Sequence, residues 1–274
     1  MTINCNGKLI SLDQPKVMGI LNVTPDSFFD GGKYKDESSI LSQVEKMINE
    51  GATFIDIGAY STRPGALEID EHTELKRMAP IISTISKEFP EALLSIDTFR
   101  SNVAIEGIGN GAAIINDISA GLQDEQMLST VASLNVPYIM MHMRGTPQNM
   151  RQKSNYEDIF KEVLLFFSKR LSLAKSLGIK DILIDPGFGF AKNVDQNYEL
   201  LRQLELMSFI EHPLLVGISR KSMIYKTLNT TADQALNGTT ALHMVCLQKG
   251  AKILRVHDVK EAMECIKLHN QLNA

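Results

Sequence analysis

The 274-residue chain alternates between short, continuously apolar runs and longer segments in which apolar residues recur at helical spacing. Eight such runs lie at 17–23, 52–59, 92–98, 112–119, 137–143, 181–187, 213–219 and 253–259. Because the runs are continuous rather than strictly alternating, they predict parallel strands buried on both faces. Their starts are about 34 residues apart on average, close to the ~30 residues of a β-α unit.

The segments between the runs predict helices. Residues 39–51 place their apolar side chains in one stripe and end at Gly51, and residues 156–178 do the same and end at Gly178. The two longest connections, 24–36 and 60–71, carry glycines and prolines, and we expect them to act as lids.

Eight strands alternating with helices predict an α/β fold, a (β/α)8 TIM barrel that forms a single domain over 1–274. An open, doubly wound sheet is the alternative. No G-x-G-x-x-G sequence follows the first strand, which weakens a dinucleotide-binding version of that alternative.

Composition excludes some classes of binding partner and indicates the cellular compartment. The 28 basic and 32 acidic side chains give a formal net charge of −4, which does not support a nucleic-acid or acidic-membrane partner. The three cysteines, Cys5, Cys246 and Cys265, lack C-x-x-C spacing and argue against a disulfide framework or a zinc site. With neither a signal-peptide core nor an 18-residue apolar run, we expect a cytoplasmic protein without a membrane partner.

Polar residues stand at or just after the carboxyl ends of the runs. They are Asn22, Asp56, Asp97, Asn116, Asp117, His142, Arg144, Asp185, Arg255 and His257, and the run at 213–219 is followed by Arg220, Lys221 and Ser222. In a (β/α)8 barrel these ends converge on one mouth, where active sites lie. A pattern shared by all the runs favours a binding site over isolated structural hydrogen bonds.

The side-chain types at these ends suggest the chemistry of a ligand. Two carboxylates and an amide suit the N–H edge of a flat heterocycle: Asp97, Asp185 and Asn116. Lys221, Arg255 and His257 supply cations suited to a diphosphate or a carboxylate. No H-E-x-x-H, Walker A or G-x-S-x-G motif occurs, which removes several protease, NTPase and hydrolase classes.

Eight ordered motifs resemble the dihydropteroate synthase family. They are MGILNVTPDSFFDGGKY (18–34), DIGAYSTRPGA (56–66), SIDTFR (95–100), INDISAG (115–121), MMHMRGTP (140–147), IDPGFGFAKN (184–193), LLVGISRKSMI (214–224) and RVHDVKE (255–261). The resemblance implies transfer of a dihydropterin methyl group from its diphosphate ester to p-aminobenzoate, giving 7,8-dihydropteroate and pyrophosphate. It further implies Mg²⁺ as cofactor, sulfonamides as competitors and a homodimer, for which helices at 155–178, 233–249 and 258–272 carry spare apolar residues.

The resemblance also implies a role for each matched residue. Asp97, Lys221 and Arg63 would be catalytic; Asp97, Asn116, Asp185 and Lys221 would hold the pterin; Asn22 would ligate Mg²⁺; Thr62, Arg63, Arg255 and His257 would contact the diphosphate; and Phe28, Pro64, Phe190, Lys221 and Ser222 would line the p-aminobenzoate pocket. Asp97 is our candidate to stabilise the cation left when pyrophosphate departs. Two departures, Phe29 for a family serine and Ala59-Tyr60 for Gly-Glu, lie in the loops beside these residues.

Two other functions stay open at this point. A pterin-dependent methyltransferase of a related barrel family would share the pterin-holding Asp and Asn positions but would not need the NVTPDSF and STRPGA loops. A barrel that only binds pterin would be expected to lose Asn22, Lys221 or the Arg255–His257 pair. Three mouth residues also have structural interpretations: Asp56 as support for the loop after it, Asp117 as a similar support, and His142 as a packed histidine.

Overall fold

A (β/α)8 barrel, as predicted, organises the chain in a computed structural model that describes residues 1–23, 33–60 and 68–273. Its parallel strands are β3 (Lys16–Asn22), β4 (Phe54–Gly58), β5 (Leu93–Asp97), β6 (Ile114–Asp117), β7 (Tyr138–Met141), β8 (Ile182–Asp185), β9 (Leu215–Val216) and β10 (Ile253–Val256). The hydrogen-bonded order is β8-β7-β6-β5-β4-β3-β10-β9. A bridge between Ile184 and Leu214 joins the two ends of this sheet, so each of the eight apolar runs supplies one strand.

Helices follow the strands and cover the outside of the barrel. Those described are α1 (Lys33–Asn49), α2 (Glu71–Glu88), α3 (Ser101–Gly109), α4 (Met127–Leu134), α5 (Ile159–Ser176), α6 (Val194–Arg202), α7 (Ser222–Thr227), α8 (Leu236–Gln248) and α9 (Val259–Leu272). None of these helices is long and apolar enough to cross a membrane. Gly51 and Gly178 follow α1 and α5 with φ of 104° and 89°, the left-handed conformation that ends a helix.

The predicted start of the first helix is wrong. The apolar stripe begins at Ile40, but α1 begins at Lys33, inside the segment expected to be a loop. Residues 33–39 read KYKDESS and present no apolar stripe, so hydrophobic periodicity could not detect this first part of the helix.

A β-hairpin precedes the barrel, and the sequence analysis missed it. Strands β1 (Thr2–Cys5) and β2 (Lys8–Ser11) pair antiparallel. Asn6 and Gly7 connect them with φ of 51° and 83°, the left-handed conformations of a two-residue hairpin turn. The Asn-Gly dipeptide is a recognisable hairpin signal, so the sequence did contain the information.

This hairpin closes the amino-terminal end of the barrel. Its apolar side chains pack on the first inward-facing residue of most strands; the cluster comprises Ile3, Cys5, Leu12, Met18, Phe54, Leu93, Ala113, Ile114, Ile139, Leu183, Leu215 and Ile253. A second, larger apolar core fills the space between strands and helices. Polar groups inside the barrel are therefore confined to its carboxyl end.

Candidate active site

The inward-facing positions change from apolar to polar within one step along the strands. Side chains two residues apart point to the same face of a strand. The residue two positions after a member of the closed end is polar on five strands: Asp56 after Phe54, Ser95 after Leu93, Asn116 after Ile114, Asp185 after Leu183 and Arg255 after Ile253. Asp97 is the next inward residue of β5. The mouth is thus built on an apolar base that fixes the strands beneath it.

Arg255 forms the centre of a buried charge network in the mouth. Its Nε donates to Asp56 Oδ2 at 2.6 Å and its Nη2 donates to Asp97 Oδ2 at 2.6 Å. Asn116 Nδ2 donates to the same oxygen of Asp56 at 3.0 Å. Among the described residues the partners of Asp56 are a strand arginine and a strand amide; residues 61–67 of the loop it is predicted to support lie outside the described residues, so that interpretation stays a prediction.

Burial and mutual attraction shift the pKa values of Asp97 and Arg255 within this network. Burial raises the pKa of Asp97 to about 7, although the positive charge of Arg255 opposes this shift. Burial alone would lower the pKa of Arg255, but the carboxylates of Asp56 and Asp97 keep it raised, so the guanidinium stays charged. Arg255 has five N–H donors, and the two ion pairs leave several of them for a ligand.

Asp185 and Lys221 lie near each other in the mouth, and each shifts the pKa of the other. Burial raises the pKa of Asp185, while Lys221 opposes the shift. Burial also lowers the pKa of Lys221 to about 8, against the pull of Asp185. Lys221 Nζ donates to the carbonyl of Phe188 and lies 4.8 Å from the centre of the Phe190 ring.

Gly217 leaves the space around which these charges meet, and the sequence analysis missed it. A Cβ atom at this position would lie 3.8 Å from each of three groups: Arg255 Cβ, Asp185 Oδ2 and Lys221 Nζ. A side chain there would fill the room that these groups share. Its signal is only that a glycine follows β9 where neighbouring strands carry an inward-facing side chain.

The adjacent basic residues Arg220 and Lys221 have separate roles. Arg220 points away from the mouth and forms two hydrogen bonds to Asp258, of 2.8 and 2.7 Å. Its φ of 55° turns the chain, so Lys221 faces inward immediately before α7. Ser219 Oγ lies 3.1 Å from Nδ1 of His257 and accepts the His257 backbone N–H at 3.2 Å, which places His257 at the exposed rim.

Other predicted residues lie around this centre or outside the described residues. Ser222 begins α7 next to Lys221 and is half-buried. Phe28, Thr62, Arg63 and Pro64, the departure at Phe29 and most of both expected lids lie outside the described residues.

Asn22 ends β3 on the inner face, two positions beyond Ile20, which pairs in register with Asp56. The other oxygen of Asp56, Oδ1, is buried without a hydrogen-bond partner among the described residues. Mg²⁺ prefers oxygen ligands, and it is commonly held by one or two protein groups together with substrate phosphates and water. An amide and a carboxylate oxygen on one face therefore fit such an ion, although no group of three or more acidic, His or Cys side chains suited to a metal occurs among the described residues.

Asp117 and His142 face away from the mouth. Asp117 accepts hydrogen bonds from Tyr138, Ser119 and Gly121, which anchors the loop after β6 as expected of a structural residue. His142 is buried, and its ring contacts Phe166 of α5 edge-on at 4.8 Å. Its position agrees with the packing interpretation.

An apolar cluster stands beside the charged centre. Its buried members are Tyr60, Phe99, Ile118, Met141, Met143, Met150 and Ala191, with Ile69 and Phe190 packed against it. The departure Tyr60 is well accommodated here, because its ring packs edge-on against Phe99 at 5.1 Å and its hydroxyl accepts from Gln148 Nε2 at 2.6 Å. Aromatic and sulfur-containing walls next to charged groups suit a flat ring.

Known proteins resemble the chain over nearly its whole length. A family model described as a pterin binding enzyme matches residues 18–257. The dihydropteroate synthase of Haemophilus influenzae is 43% identical over 270 residues, which cover 98% of each chain. The dihydropteroate synthase of Yersinia pestis, solved in a complex with a sulfonamide drug, is 40% identical with a TM-score of 0.93, covering 100% of this chain and 99% of that one. The Xanthomonas albilineans enzyme in complex with 7,8-dihydropteroate is 34% identical with a TM-score of 0.90, covering 100% of this chain and 99% of that one.

Proposed function

The chain belongs to the dihydropteroate synthase family of pterin-binding enzymes, and from this membership we propose how its mouth carries out the reaction. It is a transferase that joins p-aminobenzoate to the methylene carbon of a dihydropterin methyl diphosphate. The C–O bond to the diphosphate breaks, pyrophosphate leaves with the electron pair, and the amine nitrogen forms the new C–N bond and loses a proton. All the relatives named above are synthases, which favours this reaction over the methyltransferase and the binding-only barrel.

One observation carries the assignment of roles: buried acceptors and buried cations meet around the space at Gly217, which Asp185, Lys221 and Arg255 border. Asp185 and Asn116 are buried on the inner face and offer a carboxylate and an amide to the amino-pyrimidine edge of a pterin. Lys221 contributes a donor beside them. Its Nζ and Asp185 Oδ2 each lie 3.8 Å from the position that a Cβ of residue 217 would occupy. This arrangement supports a pterin seated deep in the barrel.

The cationic groups of the mouth are proposed to bind the diphosphate that leaves. Arg255 keeps N–H donors beyond its ion pairs with Asp56 and Asp97, and His257 lies at the rim of the same strand. Charged donors of this kind bind phosphate oxygens strongly. Arg63 and Thr62, for which the resemblance implies the same task, complete this proposal. A bound Mg²⁺, held by Asn22 with Asp56 beside it, would neutralise charge on the departing pyrophosphate.

Asp97 is the residue proposed to act on the reacting carbon. When the diphosphate leaves, positive charge develops on the methylene and spreads into the ring. The Asp97 carboxylate carries a pKa of about 7, so a substantial fraction is ionised at neutral pH and can stabilise that charge. The aromatic amine is already neutral near pH 7, so the site mainly positions it and excludes water.

The acceptor occupies the outer part of the mouth in this proposal. Phe190 and Ser222 are half-buried and flank Lys221, and Phe28 and Pro64 are added from the resemblance. Sulfonamides, which carry the same aromatic amine, are expected to compete for this position.

We also propose a homodimer and a cytoplasmic location. Leu165 and Leu173 of α5 and Leu268 and Leu272 of α9 are exposed and available for an interface, and the three cysteines are free thiols.

Pyrophosphate release tests the function. The purified protein is mixed with the dihydropterin diphosphate and Mg²⁺, with and without p-aminobenzoate, and both pyrophosphate and dihydropteroate are measured. The synthase predicts equal amounts of the two products, which depend on p-aminobenzoate and are reduced by EDTA. Pterin binding without either product would refute the reaction and support the binding-only barrel.

A further inference from the structure

Lys192 lies behind the site, and its amino group joins the loop at 187–192 to His142. The residue is 9% exposed, and its Nζ has three partners within 3.0 Å and a fourth, the carbonyl oxygen of His142, at 3.5 Å. Nζ lies 2.8 Å from the carbonyl oxygen of Gly187, 3.0 Å from that of Phe190 and 3.0 Å from Nδ1 of His142. Carbonyl oxygens only accept hydrogen bonds, so Lys192 is the donor to the first two.

His142 supplies the third acceptor. Burial and then the positive charge of Lys192 lower the pKa of His142 well below its usual value, which keeps the ring neutral. A neutral ring with its proton on Nε2 presents a lone pair on Nδ1. Burial also lowers the pKa of Lys192, opposed first by the charge of Asp185. The Lys192 amino group therefore has acceptors in the carbonyls of Gly187 and Phe190, in the His142 ring and, at 3.5 Å, in the His142 carbonyl.

The same loop is held a second time from α6. Asn197 Oδ1 accepts the backbone N–H of Gly189 at 2.7 Å, and its Nδ2 donates to the carbonyls of Lys192 and Asn193 at 3.3 and 2.6 Å. The backbone needs such support, because Gly187, Gly189 and Ala191 have φ of 70°, 81° and 49°. The last of these conformations is unfavourable for a residue with a side chain.

The loop carries two contacts into the mouth. The carbonyl of Phe188 accepts from Lys221, and the Phe190 ring lies 4.8 Å from the same ammonium. Phe190 also packs against the apolar cluster of the mouth. Lys192 binds the carbonyl of Phe190 itself, so the position of that residue depends directly on this hydrogen bond.

We propose that Lys192, with His142 as its acceptor, is a positioning residue that fixes Phe190 and the Phe188 carbonyl against Lys221 and thereby sets the affinity for the aminobenzoate acceptor. This inference rests on the proposed function, in which Phe190 lines the acceptor position. Asp97 and Asn116, two of the proposed pterin contacts, end strands that this loop does not follow, so the pterin affinity is expected to change less than the affinity for the acceptor. A residue that only stabilised the fold would affect both substrates alike.

The test compares three variants by steady-state kinetics and by titration with a pterin. Lys192→Met keeps the length and removes the donors; we expect the KM for p-aminobenzoate to rise about tenfold and the pterin Kd to stay within about twofold. His142→Phe keeps a ring and removes one acceptor, and we expect a smaller rise in the same KM. His142→Asn returns an acceptor near Nδ1, and we expect it to restore the KM. Lys180→Met, an exposed lysine at the other end of β8, is the matched control and should match wild type.

Each outcome decides the role of Lys192. An unchanged KM with a lower melting temperature would overturn the positioning role, as would equal weakening of both substrates. If Lys192→Met does not fold, the His142→Phe and His142→Asn pair decides by loss and rescue of the KM. The proposed function is judged separately, on whether the wild-type protein forms dihydropteroate at all.

Discussion

Acidification is expected to destabilise the fold in part through the buried histidine His243. His243 of α8 is 1% exposed, and neither ring nitrogen has a hydrogen-bond partner among the described residues. Burial lowers the pKa of His243 from 6.5 to about 4, and the charge of Asp258 opposes the shift only in part. Asp258 is already engaged by two hydrogen bonds from Arg220, so it is a poor partner for a protonated ring.

The sign and size follow from proton binding. The unfolded chain protonates this histidine at about pH 6.5 and the folded chain at about pH 4, so the unfolded state binds more protons in between. This contribution to stability is intact above pH 6.5 and is lost progressively as the pH falls to 4. At ~1.4 kcal/mol per pH unit, the loss is about 1 kcal/mol at pH 5.5 and about 2 to 3 kcal/mol at pH 4.5.

Urea unfolding of wild type and His243→Leu at pH 7.5, 5.5 and 4.5 measures this effect. The difference between the two free energies of unfolding cancels the pH-dependent contribution of the titrating groups that both proteins share. The packing cost of leucine is the same at each pH. The difference should move in favour of the variant by about 2 to 3 kcal/mol between pH 7.5 and 4.5. A difference that does not change with pH would refute the reasoning.

The mouth supports three further predictions. Asp185→Ala is expected to abolish pterin binding in a calorimetric titration, because a buried carboxylate that accepts from the pterin is lost. Arg255→Ala should weaken the diphosphate donor at least tenfold and the product less, because the product lacks the diphosphate; the two Kd values show this. Asp97→Asn should lower kcat by on the order of 100-fold with little change in the KM for p-aminobenzoate, because it removes the charge facing the developing cation.

Lys180→Met serves as the control for all three, since it lies outside the mouth. Pterin binding by Asp185→Ala, equal weakening of donor and product by Arg255→Ala, or full kcat in Asp97→Asn would each contradict the assigned role.

The barrel and most of its mouth could be predicted because both depend on local sequence. A strand buried on both faces must be apolar throughout, and a polar residue at its carboxyl end stands out against that background, as Asp97 and Asp185 do. The fold then brings these ends together without any further information. The hairpin could also have been found, because Asn6-Gly7 lies between two short segments able to pair.

The remaining features depend on contacts between distant parts of the chain. Asp56 and Arg255 are 199 residues apart in sequence, and nothing near Asp56 indicates that its partner is an arginine rather than a loop. Lys192 looks like an ordinary charged residue before a helix, and only its distance to Gly187, Phe190 and His142 identifies its role. The importance of Gly217 lies in the space left by its missing side chain, which Arg255, Asp185 and Lys221 surround.

The hairpin that closes the amino-terminal end has a kinetic consequence. Because the hairpin closes the base, we expect substrates and product to pass through the mouth at the other end. The depth at which each substrate binds then decides the order in which the substrates can enter. Asn116 and Asp185, which hold the pterin in our proposal, are 4% and 5% exposed, whereas Phe190 and Ser222 lie nearer the rim. An acceptor already seated above would obstruct the pterin, so we expect turnover to begin with the pterin and to end with the departure of the joined product through the mouth.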